Sequence, residues 1–281
     1  MKFTLFREYG ALNSKPVFDA FEKSLIDAGH RSLDDDMHAD VAVIWSVLWA
    51  GRMVGNKPIW DYFRKTGRNV IVLEVGGLQR GITWKVGLNG INREAYFSPK
   101  GNNSNRANQL GLDLKPWRSH GGPIYICCQH NKSLQWVNLP TINTYLSVSI
   151  NTIRQHTDRE IVVRPHPRCP ISYNNLEYKN VSIQQPRLIK GSYDDYDLHY
   201  KDAWSVVNWS SNPGIQAVRE GVPAFVGPNS LAWDVALHDL TQIENPIMPD
   251  RQQWLNDLAH TEYTIAEIEQ GIPLNNLTHY M

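Results

Sequence analysis

Two hydrophobic rhythms alternate along this chain: short runs of adjacent apolar residues, and stretches where apolar residues recur every three or four positions. KFTLF opens the first kind, and from Pro16 to Ala28 the residues Val17, Phe18, Phe21, Leu25 and Ile26 follow helical spacing. VAVIWSV (41–47), IWDYFRK (59–65) and NVIVLEV (69–75) come next. Apolar runs of this kind lack period-two alternation and read as buried parallel strands. The rhythm restarts with PIYICC (123–128), a helix around 141–156, EIVVRP (160–165), WSVVNW (204–209), a helix from Pro213 and PAFVG (223–227). RQQWLNDLAH and TIAEIEQG read as C-terminal helices. Strands alternating with helices predict βαβ units.

One stretch interrupts this order. SPKGNNSNRANQLGLDLKPWRSHGG (98–122) is rich in Asn, Gly and Ser and reads as a linker or surface excursion. The expected organisation is therefore α/β: a Rossmann-like lobe over 1–120 that includes this linker, a second over 121–250, and helices over 251–281 that link or pack on the lobes.

Composition narrows the classes without choosing one. With 281 residues, 42% hydrophobic and 20% charged, the chain can bury one large or two medium cores. Its 28 basic residues balance 28 acidic ones, so no global field points to nucleic acid or an anionic membrane. Ten Trp and twelve Tyr suit carbohydrate or base stacking and equally suit a filled core. Cys127, Cys128 and Cys169 make no disulfide framework, which points to a reduced, cytoplasmic setting. No signal peptide and no membrane span are expected, since no run of apolar residues is long enough.

The candidate chemistry gathers at strand ends. WSSNPGIQAVREG (209–221) places Ser210, Ser211, Asn212, Pro213 and Gly214 between a strand and a helix. The free N–H groups and dipole of a first helical turn make an anion site there, and Gly214 admits close approach to the backbone. A plain helix cap is the structural alternative. In VVRPHPR (162–168), Arg164, His166 and Arg168 sit in a loop stiffened by two prolines, where cationic donors can meet a diphosphate or brace the loop. QHNKSLQW (129–136) offers Gln129, Lys132 and Ser133 directly after a third strand, or a solvated turn. In open α/β sheets, ligands bind beyond the carboxyl ends of the strands, where all three segments lie.

The first half supplies carboxylates. Glu74 ends NVIVLEV ahead of a Gly-Gly turn and Arg80, and can act as general base or hold that arginine. Glu8 is a second candidate, with Arg7 beside it. DDDMHAD (34–40) contains an Asp-x-Asp but precedes the strand VAVIWSV, so it reads as a solvated acidic turn. No metal site is expected. Arg106, Arg118 and Trp117 in the polar connection are candidates for a nucleic-acid acceptor, the indole stacking on an extruded base.

The Arg-Pro-His-Pro loop, the Ser-Ser-Asn-Pro-Gly-Ile-x-Ala turn and the following Gly-x-Pro-x-Phe-x-Gly resemble the donor half of GT-B glycosyltransferases, nearest the capsule and Kdo-transferase type. LEVGGLQRG (73–81) resembles the Glu-x-Gly-x-x-Arg segment of the same enzymes, and the whole chain is similar to small tailed-phage glycosyltransferases that modify DNA bases. The resemblance implies two Rossmann-like lobes whose parallel sheets face each other across a cleft. It implies hexosyl or pentosyl transfer from a nucleotide sugar, UDP-sugar first, to an acceptor hydroxyl without a metal. It also implies that Ser210, Ser211, Asn212 and Gly214 hold the donor phosphates, while Arg164 and His166 neutralise the leaving nucleotide. Gln216 stands where many GT-B enzymes carry a Glu for donor hydroxyls, which removes a charge but keeps hydrogen bonding. The favoured acceptor is a hydroxymethylated pyrimidine in phage DNA. A surface polysaccharide or lipid-linked glycan, a sugar-nucleotide 2-epimerase and a non-catalytic sugar-nucleotide-binding module stay open beside it.

Overall fold

A computed structural model describes residues 1–171, 178–192 and 195–281. In chain order the strands are β1 (Lys2–Leu5), β2 (Arg31–Asp34), β3 (Val41–Trp45), β4 (Asn69–Val75), β5 (Thr83–Leu88), β6 (Ile124–Cys127), β7 (Ile161–Arg164), β8 (Val181–Ile183), β9 (Arg187–Leu188), β10 (Tyr196–Asp197), β11 (Ser205–Asn208), β12 (Ala224–Val226) and β13 (Glu262–Thr264). The helices are α1 (Lys15–Asp27), α2 (Asn56–Lys65), α3 (Asn105–Gln109), α4 (Ile142–Arg154), α5 (Asn212–Arg219), α6 (Gln252–Leu258), α7 (Ile265–Glu269) and α8 (Ile272–Thr278). They form two compact units, Met1–Leu112 with Leu255–Met281, and Asp113–Trp254. Among the described residues no helix is long and apolar enough to cross a membrane.

The first unit is built on a six-stranded sheet in the order β13-β5-β4-β3-β1-β2. β1 to β4 run parallel, whereas β5 and β13 are antiparallel to their neighbours. Helix α1 explains its own placement. Val17, Phe18, Phe21 and Leu25 face inward at helical spacing and meet Phe3, Leu5 and Val43 from the sheet. Each such side chain contributes about 1.5–3 kcal/mol when fully buried. The helix stops at Gly29, whose φ of +73° suits glycine, and the His30 amide bonds back to the Leu25 carbonyl at 2.9 Å.

Several expectations change here. IWDYFRK is the body of α2, not a strand: Ile59, Trp60 and Phe63 are buried on one helical face. TWKVGL, unread in the sequence, is a fully buried strand. The acidic stretch DDDMHAD does follow a strand, the short edge strand β2, as well as preceding β3. Asp36 is occupied locally, its backbone N–H bonding Thr4 Oγ1 and its carboxylate accepting from the His38 amide. The 98–122 stretch is no free linker. Arg106, Ala107, Leu110 and Leu112 are buried in the first unit, while Lys115 and Arg118 bond the Arg219 and Gly221 carbonyls in the second. The C-terminal segment adds β13, α7 and α8 to the first unit, burying Tyr263, Ile268, Leu274 and Leu277.

The second unit carries a parallel sheet ordered β12-β11-β6-β7-β8, with β9 and β10 as a separate antiparallel ribbon. Counting only this sheet in chain order, β6 is its first strand. β7 and β8 lie to one side of it, and β11 and β12 to the other. This is the doubly wound order of a Rossmann-type sheet. One face packs Ile124, Ile126, Ile161, Val163 and Val207 against Leu146, Ile150 and Ile153 of α4.

Candidate functional site

Strand order reverses between β6 and β11, and in open α/β sheets ligands bind beyond the carboxyl ends of the strands at such a switch point. The loop after β6 carries Gln129 to Ser133, and the turn after β11 carries Trp209 to Ser211. The Gln129 side chain ties them together: its Oε1 accepts from the Ser210 amide (3.1 Å) and hydroxyl (2.9 Å), and its Nε2 donates to Ser133 Oγ (2.9 Å). Ser133 donates onward to Gln135 Oε1. Gln129, Ser133 and Ser210 thus frame the switch point rather than reach into it. Ser210, expected to hold donor phosphate, is fully buried with its amide turned to Gln129.

The α5 start is held by two other contacts. Asn208 Nδ2 donates to the Cys127 carbonyl (3.1 Å) and to Ser211 Oγ (2.7 Å). Gly214 lies against this asparagine, since an added Cβ would sit 3.2 Å from Asn208 Oδ1 and 3.1 Å from Val226 Cγ1. Its lack of a side chain therefore serves close helix-to-strand packing. Pro213 brings no N–H, and the Gly214 amide turns back to the Ser211 carbonyl at 3.3 Å. The polar groups left at this helix start are the Asn212 amide and side chain, the Ser211 hydroxyl and, one turn later, Gln216. Asn212 and Gln216 share a helix face, and neither side chain has a partner among the described residues.

The loop after β7 brings two histidines together. His130 and His166 meet edge to face, their ring centroids 5.1 Å apart. His130 Nδ1 accepts from the Lys132 amide and His166 Nδ1 from the Arg168 amide, each at 3.1 Å. An acceptor Nδ1 puts the proton on Nε2. His166 then presents an Nε2–H donor that finds no acceptor among the described residues. Burial, then the neighbouring His130 and Arg168, push the His166 imidazole down to about 4. Burial, Lys132 and Arg168 also lower His130. Both rings are accordingly neutral at neutral pH, donors rather than charges. Lys132 stands exposed beside them. His130 carried no signal in the sequence, because its role depends on the neighbouring strand's loop.

Arg164 corrects an expectation. Its guanidinium is folded into the unit: Nε donates to Gln184 Oε1 (2.8 Å), Nη2 donates to the His199 carbonyl (2.9 Å), and the group stacks 3.9 Å over Tyr125. At 5% exposure it braces β7 through Nε and Nη2, while its Nη1 is buried without a hydrogen-bond partner among the described residues. The acceptor candidates are spent in the same way. Trp117 donates to the Pro249 carbonyl and is covered by Arg251, with the guanidinium 3.7 Å from the ring. Arg118 bonds the Lys201 and Tyr200 carbonyls. Arg106 is clamped by Glu267, the Ala259 and Glu262 carbonyls and the Tyr263 ring.

In the first unit, Glu74 lies partly exposed at the end of β4. Its carboxylate accepts from the Val75 amide at 2.8 Å, and the Ser46 side chain favours its charged form. Burial raises its pKa, opposed by Ser46, Val75, Arg80 and Lys85. Arg80 donates to the Gly76 carbonyl at 3.0 Å and faces Glu74 electrostatically. Glu8 is exposed at the end of β1. Arg7 is held by Asp19, Glu22 and Asp34. Ser46 and Lys85 had no sequence signal; one depends on a backbone torsion, the other on an antiparallel register. Among the described residues no cluster of three or more His, Cys, Asp or Glu fits a metal ion.

No protein-family model and no curated protein sequence matches the chain. Among solved structures, the chain resembles the β-Kdo 2,7 transferase of Thermosulfurimonas dismutans KpsC, with a TM-score of 0.56 and 15% identity over 98% of this chain and 100% of that one. The β-Kdo 2,4 transferase of the same KpsC aligns at a TM-score of 0.49 and 10% identity, over 97% of this chain and 98% of that one. At such identities the likeness concerns the path of the backbone. The chain has a GT-B-like α/β fold, shared over 98% of its length with a glycosyltransferase structure.

Proposed function

We propose that the protein is a glycosyltransferase that takes a sugar from a nucleotide donor held at the switch point of the second unit's sheet. The observation that carries this reading is the unpartnered His166 Nε2–H after β7, packed on His130 of the loop that Gln129 ties to Ser210 at the switch point. Asn212, Ser211, Gln216 and Lys132 complete a set of neutral donors with one cation, suited to phosphate and sugar oxygens. The Ser210–Gln129–Ser133 network sets the spacing of the two loops. The backbone likeness to a Kdo transferase supports the same reading.

In this scheme an acceptor hydroxyl attacks the anomeric carbon, the nucleotide departs with its phosphate held by the α5 start, and Glu74 takes the hydroxyl proton. A raised carboxyl pKa suits that task, because proton transfer is most efficient when the base titrates near working pH. For the acceptor we take a glycan hydroxyl over a DNA base, since Arg106, Trp117 and Arg118 are occupied within the fold. The test is incubation with UDP-, GDP- and CMP-sugars plus glycan acceptors and hydroxymethylated DNA, followed by mass analysis. Sugar added to a glycan, and lost with Glu74→Gln, supports the reading. Modified DNA overturns the acceptor, an isomerised donor with no transfer favours an epimerase, and nucleotide binding without turnover favours a binding module.

A further inference from the structure

The carboxyl edge of the first unit's sheet holds a polar group that no motif announces. Ser46 follows β3 in the left-handed region, φ +65°, at 2% exposure. For a buried non-glycine residue that backbone state costs about 1–2 kcal/mol. Its placement is fixed on both sides: the Ser46 amide bonds the Leu73 carbonyl at 2.8 Å, one residue before Glu74, and its Oγ accepts from the Leu48 amide at 3.1 Å. With that lone pair taken, the hydroxyl proton is free to point toward the Glu74 carboxylate, whose charged form Ser46 favours.

Lys85 approaches from the other side. It lies directly opposite Glu74 in the β4–β5 ladder and directly opposite Glu262 in the β5–β13 ladder, so the three side chains share one face of the sheet. Lys85 is 3% exposed, and its ammonium makes no hydrogen bond with the described residues. Glu262 is already engaged by the Gly77 amide (2.8 Å), the Leu78 amide (3.0 Å) and the Thr83 hydroxyl (2.8 Å). Those donors are neutral, so Lys85 lies between two carboxylates, Glu74 and Glu262. Arg80, in the turn after β4, is the other cation facing Glu74.

We propose that Ser46 and Lys85 are positioning residues that set the protonation of Glu74, forming with it a proton-transfer unit at the edge of the first unit's sheet. The proposal rests on the reading of Glu74 as the base. Burial raises the pKa of this carboxyl; the hydroxyl of Ser46 and the charge of Lys85 act against that rise and favour the ionised form.

The test needs no substrate. Infrared titration of the full chain labelled with carbon-13 glutamate, with Glu74 isolated by subtracting Glu74→Gln, reads its midpoint directly. Ser46→Ala should move that midpoint up by about one pH unit, a tenfold gain in proton affinity. Lys85→Met should move it up by less, and Lys85→Arg should leave it near the wild-type value. Ser46→Ala decides the matter where Lys85→Met fails to fold. A midpoint unchanged in Lys85→Met, or in Ser46→Ala where that variant alone folds, overturns the proposal. With a working assay, the acid limb of kcat/KM should follow the infrared midpoint. A Glu74→Gln protein that keeps its turnover refutes the base reading separately.

Discussion

At the scale of single residues, His166 has the clearest consequence for pH. Its folded-state pKa of about 4 lies below the ordinary histidine value of 6.5. The neutral ring is favoured in the folded protein, so its contribution is full above pH 6.5 and is lost as pH falls toward 4. Each pH unit of displacement corresponds to about 1.4 kcal/mol, an upper bound for a ring with some solvent contact. Thermal denaturation from pH 7 to 4 should show this loss, and His166→Phe should flatten it while keeping the ring packed on His130. Arg164 makes the opposite point. Arg164→Leu should cost about 2–4 kcal/mol by removing the guanidinium packed on Tyr125 and Tyr200 and its hydrogen bonds, yet leave nucleotide affinity of the folded protein within about twofold. The loop motif around Arg164 was legible in the sequence; its inward turn was not, because the rings that cover it come from Tyr125 and Tyr200, far away in the chain.

At the scale of elements, local signals were readable where capping and turn chemistry sit next to one another. Ser211, Pro213 and Gly214 announce the start of α5, and the gap after Arg219 is closed by Gly221 at φ +74°. Gly214→Ala should therefore destabilise the second unit by about 1 kcal/mol, as the new methyl meets Val226 and Asn208. Chemical denaturation followed by Trp fluorescence would read it. The antiparallel strands β5 and β13 were not readable. TWKVGL places a lysine inside a strand, and EYT is too short to show a period. Both become strands through partners: Glu262 from the C-terminal segment fills the amides of the Gly77–Leu78 turn that joins β4 to β5. Helix α2 was misread because IWDYFRK packs three large apolar residues into one and a half turns, which resembles a strand when its continuation is polar.

At the scale of the whole molecule, the two-unit α/β plan was visible in the alternation of apolar runs and helical stretches, while the acceptor was not. The cationic and aromatic residues of 98–122 looked solvent-facing because the segment is rich in Asn and Gly, yet Arg106 and Arg118 are committed to carbonyls and Glu267. With formal charges balanced, duplex DNA should show no binding even at low salt, since phosphate contacts supply most such affinity. The claim on which the account depends is that the switch point of the second unit's sheet receives a nucleotide phosphate. Calorimetric titration of the full chain with UDP, GDP and CMP tests it most directly. The account predicts saturable binding of at least one of them, weakened about tenfold in His166→Phe, the loss of one hydrogen bond to a charged group. Absence of binding by all three, or equal affinity in wild type and His166→Phe, would contradict it.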